Sequence, residues 1–223
     1  MVLRFWLGLG VLAWSASGQQ SGSAPIVQPG APGESSRILT PAAAITAPRP
    51  PAEADIKFMQ GMIMHHSQAV EMTALMPTRT HNKELLALGK RISISQTDEM
   101  KYMKQWLEER GQPVTMEGHN MSHMDHMAGM EHMKMASAPM MMPGMLTPEQ
   151  MKALAKATGP TFDRLFLTGM IQHHGGALTM VQELFDIPAT GQDSQLYDFV
   201  TDVDNTQRAE INIMQGMLNK EKK

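Results

Sequence analysis

The chain carries histidine and methionine in a pattern that indicates binding of a soft metal ion. Residues 118–135 read GHNMSHMDHMAGMEHMKM, in which the two residue types alternate with little else between them. Thioether sulfur is an uncharged, polarizable donor that suits Cu(I) and Ag(I), whereas Mg²⁺ and Ca²⁺ prefer oxygen. Neutral imidazole also binds copper. We therefore predict that this stretch supplies metal ligands, at Met116, His119, Met121, His123, Met124, His126, Met127, Met130, His132, Met133 and Met135.

Other interpretations of this stretch stay open at the level of sequence. Between residues 116 and 145 there are eleven methionines and four histidines, with glycine and proline but no helical or strand periodicity. The methionines could be incidental to a low-complexity linker, act as an oxidation sink, or form an adaptable protein-binding surface. The four histidines alone could bind zinc or nickel. Apolar side chains in a solvated loop contribute no stability through burial, so the large number of methionines favours the ligand role.

A second group of histidines and methionines lies in an internal repeat. Residues 58–72, FMQGMIMHHSQAVEM, align with residues 166–180, FLTGMIQHHGGALTM, at a constant offset of 108, and eight of the fifteen positions match. Each copy is followed by a second similar segment, residues 94–107 and 204–218, which share Gln96/Gln207, Glu99/Glu210, Met103/Met214 and Leu107/Leu218. The repeat predicts a duplicated helical hairpin.

Helical spacing places the repeated histidines and methionines along one face of each helix. The predicted interior then holds thioethers and imidazoles in two equivalent places, with Glu99 and Glu210 able to orient the imidazoles from behind. Methionine is also a common core filler, and a buried histidine paired with a carboxylate can be purely structural, so both roles stay open. The candidate ligands are Met62, His65, His66, Met72, Met103, Met170, His173, His174, Met180 and Met214.

Caps and breakers predict the helices that position these residues. Asn82 and Thr147 are candidate N-caps, Pro77 is expected to end the first helix, and Gly111 to end the second. The predicted fold is all-α: a ferritin-like four-helix bundle built from the duplicated hairpin, with a long Met/His-rich connection, residues 112–146. The helices are expected at about residues 52–76, 82–111, 147–159, 160–185 and 192–219.

The N-terminal quarter of the chain differs in composition from the rest. Residues 1–18 have a single arginine, a short apolar run and small residues, which is typical of a secretory signal peptide. Residues 19–51 are rich in proline, alanine, glycine and serine and are predicted to be a disordered tether. One folded domain, residues 52–223, is expected to follow: the first hairpin at 52–111, the connection, and a short helix with the second hairpin at 147–223. We expect export to the periplasm or cell envelope, with membrane contact only if the signal segment stays uncleaved.

Composition excludes several classes of function. The formal net charge of −3 gives no reason to expect a nucleic-acid partner. The absence of cysteine excludes disulfides, thiolate zinc sites and cysteine nucleophiles. No Glu-x-x-His pair of a di-iron site accompanies the repeated histidines, and no Ser-His-Asp set or glycine-rich phosphate loop is visible. We therefore expect that the protein is not an enzyme.

The repeated F-x-x-G-M-I-x-H-H-x-x-A-x-x-M motif, followed each time by Gln-x-x-Glu-x-x-x-Met, resembles domain-of-unknown-function family 305. That family contains exported bacterial proteins, including CopM-like copper-tolerance proteins. The resemblance covers about residues 52–110 and 147–219. It implies a ferritin-like four-helix bundle that binds Cu(I) and Ag(I) through methionine and histidine. The positions that match the motif are Met62, His65, His66, Met72, Met170, His173, His174 and Met180.

The sequence thus predicts an exported Cu(I)- or Ag(I)-binding protein that sequesters metal, hands it on or confers tolerance. Its expected partners are soft metal ions, and a copper efflux or chaperone protein is a candidate recipient. Affinity through histidine is expected to fall as the pH drops through about 6.5, the ordinary imidazole pKa. The rival functions are a methionine-rich interaction module without metal and a ferritin-like metal-dependent oxidase.

Overall fold

The structure is a computed structural model that describes residues 25–40, 50–116 and 141–220. The chain divides into two compact units, one ending at Pro48 and the other beginning at Arg49. The first contains a small β-hairpin and the second contains all of the described helices. The predicted signal segment, residues 1–18, and most of the Met/His-rich connection, residues 117–140, lie outside the described residues.

Two three-residue strands form the hairpin of the first unit. β1 (Ile26–Gln28) pairs antiparallel with β2 (Arg37–Leu39), and Ile26 lies opposite Leu39. A disordered tether was predicted here, and the structure differs for these residues. The reason is local: β-branched residues favour strands, and the intervening turn contains Gly33 at φ +95°. Most of the hairpin's side chains are exposed, so it buries little surface.

The second unit is a four-helix bundle, which confirms the predicted all-α fold. The helices are α1 (Glu53–Ala74), α2 (Met76–Arg79), α3 (Lys83–Glu109), α4 (Pro148–Lys156), α5 (Gly159–Asp186) and α6 (Ser194–Lys220). Each hairpin pairs its own two long helices, and the two hairpins meet through α1 and α5, the helices that carry the repeat. The short helix α4 packs on α5.

The helix ends follow the sequence signals with one exception. The Asn82 side chain accepts a hydrogen bond from the Leu85 amide at 3.2 Å, and Thr147 forms a reciprocal capping box with Gln150. The first helix was expected to stop before Pro77, and α1 does so at Ala74, but the short helix α2 that follows was not expected. Pro77 lies in the first turn of α2, where its missing N–H leaves no hydrogen bond unmade.

Thioether and aliphatic side chains fill the bundle. The buried residues fall into two clusters, one around Met62, Met103 and Trp106 and the other around Met72, Met170 and Met214. The side chains of the predicted interior faces of α1 and α5 are buried. The sequence therefore located the core of the bundle correctly.

Residues 142–146, which we name the strap, cross the bundle at the end of the connection. The Gln68 side chain of α1 donates to the Leu146 carbonyl at 3.0 Å and accepts from the Leu146 amide at 2.7 Å. From α5, the Gln172 side chain lies 3.3 Å from the carbonyls of Gly144 and Met145. Both helices of the interface therefore hold the strap through its backbone.

The strap explains where the two copies of the repeat diverge. Gln68 in the first copy corresponds to Gly176 in the second, at the offset of 108. Gln68 binds the strap, and Gly176 makes room for it, because a β-carbon on Gly176 would overlap the Pro143 carbonyl. Gly144, at φ +76°, packs against the same glycine. One copy supplies hydrogen bonds and the other supplies space.

We predict opposite effects for alanine at two neighbouring glycines of α5. Gly176→Ala should lower the free energy of unfolding by about 1–3 kcal/mol, because the new methyl group collides with the strap. Gly175→Ala is the matched control, since nothing lies within 4 Å of a β-carbon there. It should raise stability by about 1 kcal/mol through helix propensity. Urea unfolding followed by circular dichroism measures both, and equal effects would contradict the role of the strap.

Candidate metal centre

The two repeat helices bring four imidazoles into the middle of the bundle. His65 and His66 come from α1, and His173 and His174 come from α5; each is at most 1% exposed. Because consecutive helical residues point about 100° apart, one histidine of each pair faces the α1–α5 interface and the other faces the second helix of its own hairpin. The rings of His65 and His173 meet at that interface, with centroids 3.8 Å apart.

The outer histidine of each pair is held by a carboxylate. The His66 Nε2 atom lies 2.6 Å from a Glu99 carboxylate oxygen, and the His174 Nε2 atom lies 2.6 Å from Glu210. Ser95 donates a further hydrogen bond to Glu99 at 2.7 Å. Burial raises the pKa of Glu99, but the hydrogen bonds from His66 and Ser95 outweigh it, so the pKa lies below its ordinary value. Glu99 is therefore an ionised acceptor.

The inner histidines bind backbone carbonyls instead. The His65 Nε2 atom lies 3.0 Å from the carbonyl oxygen of Pro143 in the strap, and the His173 Nε2 atom lies 2.9 Å from the carbonyl oxygen of His65. Carbonyls and carboxylates only accept, so the tautomer inferred from these partners has the proton on Nε2. Nδ1 is then the ring nitrogen available to a metal ion.

The Nδ1 atoms of all four histidines are buried and have no hydrogen-bond partner among the described residues. The side-chain oxygens of Gln96 and Gln207, at equivalent positions of α3 and α6, are unpartnered as well. A buried polar atom without a partner costs about 1–3 kcal/mol. A cation bound at these atoms would remove that cost, and metal-ligating histidines are commonly held at their other nitrogen in this way.

Burial keeps the inner imidazoles uncharged. Burial first, and then the neighbouring His66, lowers the pKa of His65 to about 3. The pKa of His173 is likewise well below its ordinary value, chiefly through burial and then through His65. The expectation that histidine ligands lose affinity as the pH falls through 6.5 is therefore wrong for His65 and His173, which stay ready to bind at lower pH.

Several of the predicted methionine ligands are buried in the same bundle. Five of the predicted methionine ligands are fully buried, and Met180 is 9% exposed. In the described part of the chain, no three histidine, aspartate or glutamate side chains gather as a metal site would require. An ion held by these imidazoles would therefore need ligands of another type, and the buried thioethers are the candidates. The fully buried methionines are Met62, Met72, Met103, Met170 and Met214.

The candidate ligands of the connection are a separate case. Met116 is half-buried and lines a pocket with Gln60, Ile63 and Met64. Its fellow candidates lie outside the described residues, and their role stays a prediction: His119, Met121, His123, Met124, His126, Met127, Met130, His132, Met133 and Met135.

The sequence did not identify the contribution of the strap. Pro143 orients His65, and Gln68 fixes the strap that carries it. The one available signal was the difference between Ser67-Gln68 and Gly175-Gly176 in otherwise matching motifs. Nothing in the sequence showed which segment that difference accommodates.

The family described as "Domain of unknown function (DUF305)" matches residues 55–218 of this chain. The chain belongs to the DUF305 family. No curated protein matches it. Among the described residues, no helix has the length and hydropathy needed to cross a membrane.

Solved structures of the family share the fold of this DUF305 protein. A DUF305 fragment from Deinococcus radiodurans is 27% identical, with a TM-score of 0.61, 77% of this chain covered and 99% of the other. A protein from Streptomyces coelicolor, described as a secreted DUF305 protein, is 27% identical, with a TM-score of 0.60, 75% of this chain covered and 93% of the other. CopM in its Cu(I)-bound form is 25% identical, with a TM-score of 0.53 and coverages of 74% and 96%. CopM has also been solved in Cu(II)-bound, Ag-bound and apo forms.

We predict that the metal-free protein loses stability as the pH falls below the ordinary histidine pKa of 6.5. The unfolded chain takes up a proton on His65 near that pH, whereas the folded chain does so only near pH 3. Between these values the unfolded state binds more protons, so acid favours unfolding. Thermal unfolding between pH 7 and pH 4.5 measures the effect.

A matched pair of variants isolates this contribution. The double variant His65→Gln/His173→Gln should show a weaker decline in melting temperature with acid, since neither position then titrates. His81→Gln removes an exposed histidine and should behave as the parent protein. Identical acid dependence in the double variant and the parent would contradict the prediction.

Proposed function

We propose that this DUF305 protein is an exported carrier that binds Cu(I) or Ag(I) through thioether and imidazole ligands. It would sequester the ion, hand it on, or confer tolerance to it. The observation that supports this most directly is the set of four buried Nδ1 atoms without partners, inside a core lined by thioethers.

The donor set favours a soft monovalent ion. Imidazole nitrogen and thioether sulfur are both uncharged when they bind, and hard ions such as Mg²⁺ gain little from either. Cu(I) accepts two, three or four ligands, so pairs of imidazoles completed by thioethers suit it. Glu99 and Glu210 lie behind His66 and His174 and bond their Nε2 atoms. Their negative charge therefore favours a cation in the core, although they do not occupy its ligand positions.

The similarity to metal-bound CopM supports a function related to metal ions. The similarity to a DUF305 protein described as secreted supports export. The mechanism would be ligand exchange at Met and His, without bond-making chemistry on a substrate, so we propose that the protein is not an enzyme. The recipient would be a copper efflux or chaperone protein.

We predict that replacing the bundle histidines lowers the number of Cu(I) ions that the protein holds. Glutamine at His65, His66, His173 and His174 keeps a side-chain N–H for the present acceptors but removes the ring Nδ1. Titration of Cu(I) against a competing chelator, under reducing conditions, should show fewer tightly held ions in the variant. The connection is unchanged, so the difference reports on the bundle alone.

Two controls accompany this titration. His81→Gln should leave the capacity for Cu(I) unchanged, and circular dichroism should show that the fourfold variant keeps its helices. Parent protein that takes up neither Cu(I) nor Ag(I) at micromolar concentrations would refute the proposed function. Equal capacity in the parent and the fourfold variant would remove the bundle from it.

We further predict that Glu99→Ala and Glu210→Ala each weaken Cu(I) binding by about 10–100-fold, since the carboxylate fixes the orientation of the ligating imidazole. Glu99→Gln should recover most of the affinity, because its amide oxygen still accepts from His66. Glu108→Ala, on the exposed side of the same helix, is the matched control and should have no effect. Competition titrations measure all four, and an unaffected Glu99→Ala protein would show that Glu99 does not position a ligand.

A further inference from the structure

Two methionines from different parts of the chain converge above a glycine of α1. The position that a β-carbon on Gly61 would occupy lies 3.5 Å from the Met142 sulfur and 3.5 Å from the Met180 methyl carbon. Met142 belongs to the strap and Met180 to α5. Gly61 carries no side chain, so the sulfur of Met142 and the methyl group of Met180 pack over the same bare position of the helix.

Met142 and Met180 lie at the edge of the bundle. Met142 is 8% exposed and Met180 is 9% exposed, whereas Met62 and Met103 of the same cluster are fully buried. An ion arriving from solvent would therefore reach Met142 and Met180 before it reached the buried methionines. The residues before Met142 in the sequence belong to the Met/His-rich connection.

The equivalent place in the other half of the bundle has no such pair. Gly169 corresponds to Gly61, but a β-carbon there would meet a methyl carbon of Leu146 at 2.9 Å and the methyl carbon of Met72 at 3.3 Å. The strap thus presents sulfur over one glycine and an aliphatic side chain over the other. At a third helical glycine, Gly89, the three atoms nearest to a β-carbon all belong to one methionine, Met76.

The strap also joins this pair to the histidine centre. Pro143, the residue after Met142, accepts the hydrogen bond from His65. Gly61 and His65 are four residues apart in α1, so they share one face of the helix at a separation of about 6 Å along its axis. An ion leaving the two sulfurs would therefore have His65 as its next nitrogen ligand on the same face.

We propose that Met142 and Met180 form a two-thioether entry site for Cu(I) or Ag(I), from which the ion passes inward to His65. Two neutral sulfurs suit a soft monovalent ion and bind hard divalent ions poorly. Transfer is an exchange of sulfur for ring nitrogen at an unchanged oxidation state. This inference rests on the proposed function, since it assigns the route by which that centre is loaded.

Nuclear magnetic resonance of the full chain, labelled with ¹³C at the methionine methyl groups, tests the entry site. Ag(I) is the probe because it does not change oxidation state. The methyl signals of Met142 and Met180, assigned by the variants Met142→Leu and Met180→Leu, should shift early in the titration. The Met76 signal, assigned by Met76→Leu, is the buried control and should not move at that stage.

Substitution tests the route inward. In the double variant Met142→Leu/Met180→Leu, which keeps side chains of similar volume, the ¹⁵N signals of the His65 ring should respond to Ag(I) more slowly than in the parent. Met76→Leu should leave that rate unchanged. Equal rates in the double variant and the parent would overturn the route.

The outcomes separate this inference from the function on which it rests. If histidine signals respond to Ag(I) while the methyls of Met142 and Met180 stay unmoved up to saturation, the entry site is refuted and the carrier function stands. If no methionine or histidine signal responds, the carrier function itself is refuted. An early shift of both methyls supports the entry site, whatever the stability of the variants.

Discussion

The hydrogen bond at Nε2 of each buried histidine is the interaction on which the centre of this bundle depends. An imidazole taken out of water needs a partner, and here two carboxylates and two backbone carbonyls provide it. Each bond fixes a ring and leaves its other nitrogen unpartnered. The helices must then be placed so that α3 and α6 present glutamates while α1 and α5 approach closely. The packing of the helices therefore also sets the orientation of the imidazole rings.

That constraint accounts for the composition of the core. Side chains next to unpaired ring nitrogens must tolerate both an empty centre and an occupied one, and methionine, flexible and polarizable, does so better than branched residues. Met103 and Met214 lie one helical turn beyond Glu99 and Glu210, at matching positions of the two halves. Aromatic side chains such as Trp106 and Phe166 fill the rest of the interior.

Most of the fold could be predicted from the repeat, because helical periodicity and caps are local properties of the chain. The duplicated motif predicted which helices pair into hairpins, and Asn82 and Thr147 marked where helices begin. The position of the strap could not be predicted in this way. Its contact with His65 joins residues 78 positions apart, and no local pattern around Pro143 indicates that partner. The pKa of His65 was likewise misjudged, because burial is a property of the assembled bundle.

A tandem duplication linked by a single crossover cannot remain two-fold symmetric. The crossover ends in the strap, which binds at Gln68 and would need a second copy of itself to bind equivalently elsewhere. Gly176 occupies the matching position in the second half, and it has no side chain with which to bind a strap. The two halves of the duplicated hairpin are consequently inequivalent, and on the proposed route an ion that enters beside the crossover meets them in a set order. Because the duplicated halves differ, the proposed route of an ion through the bundle runs in one direction.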